Sequence, residues 1–314
     1  MNEGILLIDK ERGCRSTSIV SAVRAIVGKT VRVGHAGTLD STASGLLLVL
    51  VGPLTRLSNY AMALPKRYRV RVGLGFETET CDADGDVRYR SSWDHVDEDR
   101  IDRELLGFQG CRLQVPPRIS AVHVQGKRAH ELARKGSDFQ LDPRHVWVTR
   151  AERLSPVNER GEFVLDIRCH RGTYVRSLVR DLGRRLRCGA TVLDLRRIGL
   201  GDFSCDDGLP SAVLSTLTRE DVSHSFCPVD RLCRHFATYS CGEEEAQRLA
   251  SGLPLALARG ERISLGLVPA ASCLCFLGPG LVSFGSLERH RSQFRPRTNI
   301  FLGGHQRDPN TRSI

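Results

Sequence analysis

The chain has 314 residues, 46 Lys and Arg against 36 Asp and Glu, and a formal net charge of +10. Its length exceeds what one hydrophobic core usually organises and predicts a main domain with a smaller companion. The basic balance admits a polyanion such as RNA, DNA or an anionic membrane surface without choosing among them. The 11 cysteines are scattered through a large chain that opens without a signal-peptide pattern, which argues against a small disulfide-held secreted scaffold and predicts a reducing cytoplasm. Cys273 and Cys275 form a C-x-C with no second pair at zinc spacing, so no metal is expected and the thiols read as packing residues. The longest apolar run, GLLLVLVG from Gly45 to Gly52, is far short of the roughly twenty residues a membrane-spanning helix needs.

Taken in chain order, Gly4 to Asp9 (GILLID) reads as a buried strand, and Ser16 or Thr17 then caps a helix whose apolar stripe is Ile19, Val20, Val23, Ile26 and Val27. A short strand-like stretch after Gly28 leads into a Gly-rich loop, Gly34 to Gly45, and the apolar run 46–51 follows. Pro53 opens an amphipathic helix with Leu54, Leu57, Ala61 and Leu64, and Arg67 to Val72 (RYRVRV) alternates as a half-buried strand does. Ile101, Leu105 and Leu106 mark a helix, GKRAHELARKG a short basic helix, and Val146 to Thr149 a strand. Phe163 to Cys169 is a further strand ending at HRGTYVR, after which Val175, Leu178, Val179, Leu182 and Leu186 give a helical stripe to a cap at Gly189. Asp221 to Asp230 shows no periodicity. Beyond it, short strands punctuated by Gly and Pro predict a small β-rich domain, and the last dozen residues read as disordered.

The segment most suited to chemistry is GHAGTLD, a polar turn with two glycines and one acidic residue between two apolar runs, where a side chain can project into a cleft. Asp40 is the candidate. An Asp beside Ser and Thr in a loop ordinarily caps the segment that follows, so this spacing alone does not assign it.

GHAGTLDSTASGLLLVLVG resembles the central motif of TruB-type tRNA pseudouridine synthases. The resemblance continues in family order across residues 4 to 200, through GILLIDKERGCRSTS, KRYRVRVGLGFETETCDADG, QVPPRISAVHVQGKRAHELARKG, CHRGTYVRSLVRDLG and CGATVLDLRR, and more weakly through SGLPLAL and SFGSLERHRSQFRPRTNIFL. It implies an α/β (α+β) catalytic domain over 1–228, built on a mixed, largely antiparallel sheet of the pseudouridine synthase fold. An RNA-contacting insertion would occupy about 118–145, a small β-rich PUA-like C-terminal domain 229–302, and a disordered tail 303–314.

The implied reaction is conversion of the T-loop uridine at position 55 of tRNA to pseudouridine, which needs a flipped-out base, a carboxylate near the sugar and a route for the C5 proton. Asp40 matches the family's catalytic Asp, acting either as nucleophile on sugar or base or as the group that removes the 2′ proton. A carboxylate ionised in a sealed pocket requires an adjacent cation, and GTYVR is where the family places an Arg that pairs with it, here Arg176. Tyr68 matches the Tyr that stacks on the uracil, Tyr174 and Leu195 the residues that shape the base pocket, and His35 the motif His near the flipped bases. Lys127, Arg128, Arg134 and Lys135 are the expected phosphate contacts.

No cofactor, metal, membrane or protein partner is implied. The resemblance points to a cytoplasmic monomer acting on the T arm of tRNA. A non-catalytic RNA-folding helper would need only the charge and the small C-terminal domain, whereas the Asp40, Tyr68, Tyr174 and Arg176 set favours an enzyme. The absence of long Lys-rich tails favours a stand-alone tRNA enzyme over guide-dependent relatives. The chain departs from the family pattern at Glu11, Ala36, Ser41, Ile119 and His123, none of them an assigned catalytic group.

Overall fold

A computed structural model describes residues 3–124, 126–256, 263–264, 274–278, 280–288 and 293–302. Strand β1 (Gly4–Lys10) leads through helix α1 (Ser16–Val27) and β2 (Val33–His35) to a loop over 36–43 and β3 (Ser44–Val51). A 3-10 turn (Gly52–Leu57) and α2 (Ser58–Ala63) connect to β4 (Lys66–Leu74), the hairpin of β5 (Phe76–Thr78) and β6 (Val87–Arg90), α3 (Glu98–Leu106) and β7 (Gly110–Gln114). The chain continues through a second hairpin, β8 (His123–Val124) with β9 (Lys127–Arg128), then α4 (Ala129–Arg134), β10 (Arg144–Arg153), β11 (Glu162–Cys169), α5 (Val175–Leu186), β12 (Ala190–Leu200), β13 (Phe203–Ser204) and β14 (Leu209–Pro210). Helices α6 (Arg219–His224) and α7 (Val229–Cys233) precede β15 (Ala237–Ser240), α8 (Glu243–Ala250), β16 (Leu255–Ala256), β17 (Ile263–Ser264), β18 (Leu274–Gly278), β19 (Leu281–Glu288) and β20 (Gln293–Phe301).

The large sheet runs β14-β1-β3-β12-β4-β11-β10-β7, with β2 on β3 and β13 on β12, and is antiparallel except at the β1/β14 and β3/β12 pairs. β1 and β3 are buried almost throughout because both faces are covered there, which is why they read as unbroken apolar runs. Ile5, Leu7, Leu46, Leu48 and Leu50 enter one apolar cluster, and Leu6, Ile8, Leu47, Val49 and Val51 another, closed by α1. Farther along the sheet only one face is covered. On β4, Tyr68, Val70 and Val72 face α3 and α5 while Arg67, Arg69 and Arg71 take the other face, the period of two expected of a half-buried strand. Helix α5 packs Val175, Leu178, Val179, Leu182 and Leu186 into the same cluster.

The smaller sheet, β16-β20-β19-β18-β15-β17, forms the β-rich C-terminal domain. It joins the main sheet through aromatic packing, with the Tyr60 ring 4.3 Å from that of Phe284 and 6.1 Å from that of Phe236.

Several local expectations are corrected. Ser16 does not cap α1: the residue at the helix entry is Arg15, which makes no side-chain cap, and the Ser16 hydroxyl is bonded elsewhere. Pro53 opens a 3-10 turn before the α-helix begins at Ser58. Helix α5 ends on Arg187, itself left-handed at φ 62°, two residues before the expected Gly189 cap. The stretch read as aperiodic takes in most of α6, which a Thr218/Asp221 capping box holds, and the start of α7; helices of one or two turns are too short to show a stripe. GKRAHELARKG begins as a hairpin strand before turning helical at Ala129. Cys273 and the tail 303–314 lie outside the described residues.

Candidate active site

The loop carrying Asp40 is tied down from three directions. The Ser16 hydroxyl donates to the Leu39 carbonyl at 2.8 Å and accepts the Leu39 N–H at 3.0 Å. Lys10, fully buried, donates to the carbonyls of Ala43 at 2.6 Å, Cys14 at 2.8 Å and Glu11 at 2.9 Å, and burial holds its ammonium below the usual lysine pKa. From β12, the buried Arg197 guanidinium donates to Leu46 O at 2.7 Å and Gly37 O at 3.1 Å. Just past the loop, β3 runs so close to β12 at Gly45 (φ +106°) that a Cβ there would sit 2.3 Å from Arg197 O, which restricts this position to glycine.

Held in this way, Asp40 projects with its side chain 44% exposed, and its Oδ2 lies 2.7 Å from Nη2 of Arg176, whose side chain is only 6% exposed. Arg176 is fixed by the Thr80 carbonyl at 2.8 Å and the Ile119 carbonyl at 3.0 Å. A second carboxylate stands behind it: Asp82, buried, places Oδ2 3.5 Å from Nη1 of Arg176. Asp82 accepts in turn from Thr42 Oγ1 at 3.4 Å, from the Asp84 N–H at 3.3 Å and from the Thr80 hydroxyl. The guanidinium thus meets a buried carboxylate and an exposed one, and only the exposed one is open to a ligand.

Aromatic and apolar side chains lie near this pair, together with further buried cations. Tyr68 packs against the core; burial raises its phenol pKa, and the charge and hydrogen bond of Arg197 oppose that rise. Burial likewise raises the Tyr174 phenol, and the negative charge of Asp40 reaches both rings. The pKa of His35 is lowered by burial and then by Arg197, which favours the neutral imidazole, and its buried Nδ1 has no hydrogen-bond partner among the described residues. Leu195 is buried and lines a small cavity with Thr42, Asp82 and Arg176. Lys66 is buried, donates to the Met62 carbonyl and is pushed down to about 8 by burial and by Arg197.

Asp40 and Arg176 are therefore paired directly, Tyr68 and Tyr174 lie within electrostatic reach of Asp40, and Leu195 shares a cavity with Arg176, whereas His35 is placed beside Arg197 and Lys127, Arg128, Arg134 and Lys135 make no such contact among the described residues. Those four are exposed on β9, α4 and its C-terminal cap, and none is in an ion pair among the described residues. Sequence reasoning missed Asp82, Gln114, Arg197, Lys10 and Lys66, although the stretches that contain them, TCDADG, QVPPRIS, LDLRR, LLIDK and KRYRV, are all among the motif segments. Among the described residues no group of three or more His, Cys, Asp and Glu could hold a metal ion.

Two family models match the chain: the N-terminal domain of the TruB family of pseudouridylate synthases over residues 24–175, and the C-terminal domain of tRNA pseudouridylate synthase B over residues 176–230. A tRNA pseudouridine synthase B of Dehalococcoides mccartyi is 37% identical over 261 residues, covering 82% of this chain and 85% of that protein. One of Aquifex aeolicus is 35% identical over 291 residues, covering 92% and 99%. The chain belongs to the TruB family. It is a pseudouridine synthase, and the border between the two TruB models falls at the start of α5, with Tyr174 before it and Arg176 after it. A chain of the archaeal box H/ACA sRNP Nop10-Cbf5 complex has a similar fold, with a TM-score of 0.68 at 20% identity over 98% of this chain and 88% of that one. No helix is long and apolar enough to cross a membrane among the described residues.

Proposed function

We propose that this enzyme isomerises the T-loop uridine at position 55 of tRNA, with Asp40 as the carboxylate that acts at the sugar. The observation that carries the reading is the Asp40–Arg176 ion pair, open to a ligand at the carboxylate, closed at the guanidinium and within electrostatic reach of two phenols.

Uridine enters the cleft flipped out of its stack. Tyr68 stacks on the uracil as a neutral phenol, Tyr174 and Leu195 bound the base, and neutral His35 occupies the space beside it. The N1–C1′ bond breaks, uracil turns within this pocket, the C5–C1′ bond forms, C5 gives up its proton and N1 takes one, so the atoms balance without an oxidant or a cofactor. Arg176 keeps the Asp40 carboxylate from being stranded when RNA excludes water. A covalent sugar–Asp40 adduct and a glycal formed by loss of the 2′ proton both use these contacts.

Lys127, Arg128, Arg134 and Lys135 contact T-arm phosphates from the insertion over about 118–145. Residues 1–228 act as the catalytic unit, and 229–302 as a PUA-like unit reaching toward the acceptor end. The chain works as a monomer in the cytoplasm, where its buried thiols stay reduced.

The test is tritium release from an unmodified T-arm stem-loop labelled at C5 of its uridines, without added metal or cofactor, for the native protein and Asp40→Asn. Release by the native protein at the T-loop uridine and none by the variant is the expected result. An active Asp40→Asn variant, folded and binding RNA normally, overturns the role of Asp40. Tight RNA binding with no release by the native protein points instead to an RNA-folding helper.

A further inference from the structure

Gln114, the last residue of β7, is 2% exposed, and its carboxamide spans the backbone of Tyr174. Its Oε1 accepts the Tyr174 N–H at 2.8 Å and its Nε2 donates to the Tyr174 carbonyl at 3.1 Å. The partners fix the orientation of this amide, because only an oxygen can face an N–H and only the NH2 can face a carbonyl. Tyr174 is the residue from which α5 starts; its own side chain caps nothing, and its carbonyl already takes the Leu178 N–H at 3.1 Å. Its N–H is outside any strand or helix ladder, so Gln114 supplies the bond that fixes this peptide.

The residues after Gln114 hold the same turn. The Val115 carbonyl accepts from Ser177 Oγ and from Arg180 Nη2, each at 2.9 Å, and the Ile119 carbonyl accepts from Arg176 Nη2 at 3.0 Å. The root of the insertion and the first turn of α5 are thereby bonded side by side, and that turn carries both Tyr174 and Arg176 to Asp40.

We infer that Gln114 is a positioning residue: its carboxamide sets the Tyr174 backbone, and with it the phenol and the Arg176 guanidinium, so that the insertion's root and the catalytic turn hold one geometry against the docked uridine. This rests on the reading that the insertion grips RNA and that Tyr174 and Arg176 serve the isomerisation. A carboxamide offers an acceptor and a donor at the spacing of one residue's N–H and C=O, and Gln114 is long enough to reach both.

Gln114→Glu gives a readout that a space-filling role would not move. Protonated, the introduced carboxyl can accept and donate as the amide does; ionised, it sets a second oxygen against the Tyr174 carbonyl, and burial raises the pH at which that change occurs. Gln114→Ala can make neither bond. The measurement is single-turnover tritium release from the T-arm stem-loop, with RNA affinity and urea denaturation alongside, across about pH 6 to about pH 8.

The expected result is a Gln114→Ala rate about tenfold to a hundredfold below the native protein at every pH, with RNA affinity within about twofold. Gln114→Glu should match it at high pH and recover toward the native rate as pH falls. Native rates in both variants, a loss confined to affinity, or a Gln114→Glu to native ratio that is flat with pH overturns the inference. If Gln114→Ala does not fold, that ratio decides alone. A native protein that releases no tritium sinks the functional reading itself, and the two failures are told apart in one assay.

Discussion

Asp82 meets Nη1 of the Arg176 guanidinium while Asp40 takes Nη2; it lies at 3.5 Å with 8% side-chain exposure and is itself held by Thr42, Thr80 and the Asp84 N–H. It offsets part of the cation's burial cost and, with the Thr80 carbonyl, it holds Nη1 in place. Asp82→Asn keeps the shape and removes the charge. Its tritium-release rate is expected to fall about tenfold to a hundredfold under saturating RNA, with little change in RNA affinity. An Asp82→Asn rate equal to that of the native protein would show that the Thr80 and Ile119 carbonyls position Arg176 unaided.

Lys66 gives a pH-dependent stability with a definite sign. Its folded pKa is about 8 against an ordinary 10.5, chiefly through burial, so below about pH 8 the folded protein carries a buried ammonium that the unfolded chain holds in water. The lowered pKa makes this a cost, about 3 kcal/mol in full, present below pH 8 and relieved as pH rises toward 10.5. Lys66→Met is therefore expected to gain unfolding free energy over the native protein at neutral pH and to lose that advantage near pH 10.5. Urea denaturation of both proteins at the two pH values checks it, and titrations common to both cancel in the difference. An equal gain at both pH values would trace the effect to packing.

The parts of this fold legible in the sequence are those where one face decides the pattern. The stripe of Val175, Leu178, Val179, Leu182 and Leu186 and the alternation of Tyr68, Val70 and Val72 with Arg67, Arg69 and Arg71 both report burial directly. Ser16 reads as a helix cap because Ser before an apolar stripe usually is one, but its hydroxyl serves Leu39, far along the chain. Asp82 and Gln114 share that difficulty: their partners, Arg176 and Tyr174, belong to a helix formed much later, and local pattern carries nothing about it. The association of Asp40 with Arg176 was open to sequence reasoning only through family resemblance, for the same physical reason.

Ser16→Ala tests how far the Asp40 loop depends on its tether. The change leaves the buried Leu39 N–H and carbonyl without the hydroxyl that satisfies both, which costs about 1–3 kcal/mol. Loss of unfolding free energy in that range, together with a slower tritium-release rate, is expected. Full stability with a slow rate would assign Ser16 to loop placement alone, and full stability with a native rate would mean that Lys10 and Arg197 suffice.

The exposed cations of the insertion should behave differently from every residue above. Lys127, Arg128, Arg134 and Lys135 are exposed and carry no ion pair among the described residues, so each neutral replacement removes charge without exposing a buried group. If they meet phosphates, Lys127→Ala, Arg128→Ala, Arg134→Ala and Lys135→Ala should each weaken T-arm binding and lower the dependence of log Kd on log salt by about 1, because one fewer counterion is released. The rate at saturating RNA should stay near that of the native protein, since uniform binding is lost and not the chemical step. Filter binding across a salt series, paired with saturating tritium release, separates the two. An unchanged salt slope for all four would remove the insertion from the RNA interface and leave the Tyr174 and Arg176 turn to be aligned without it.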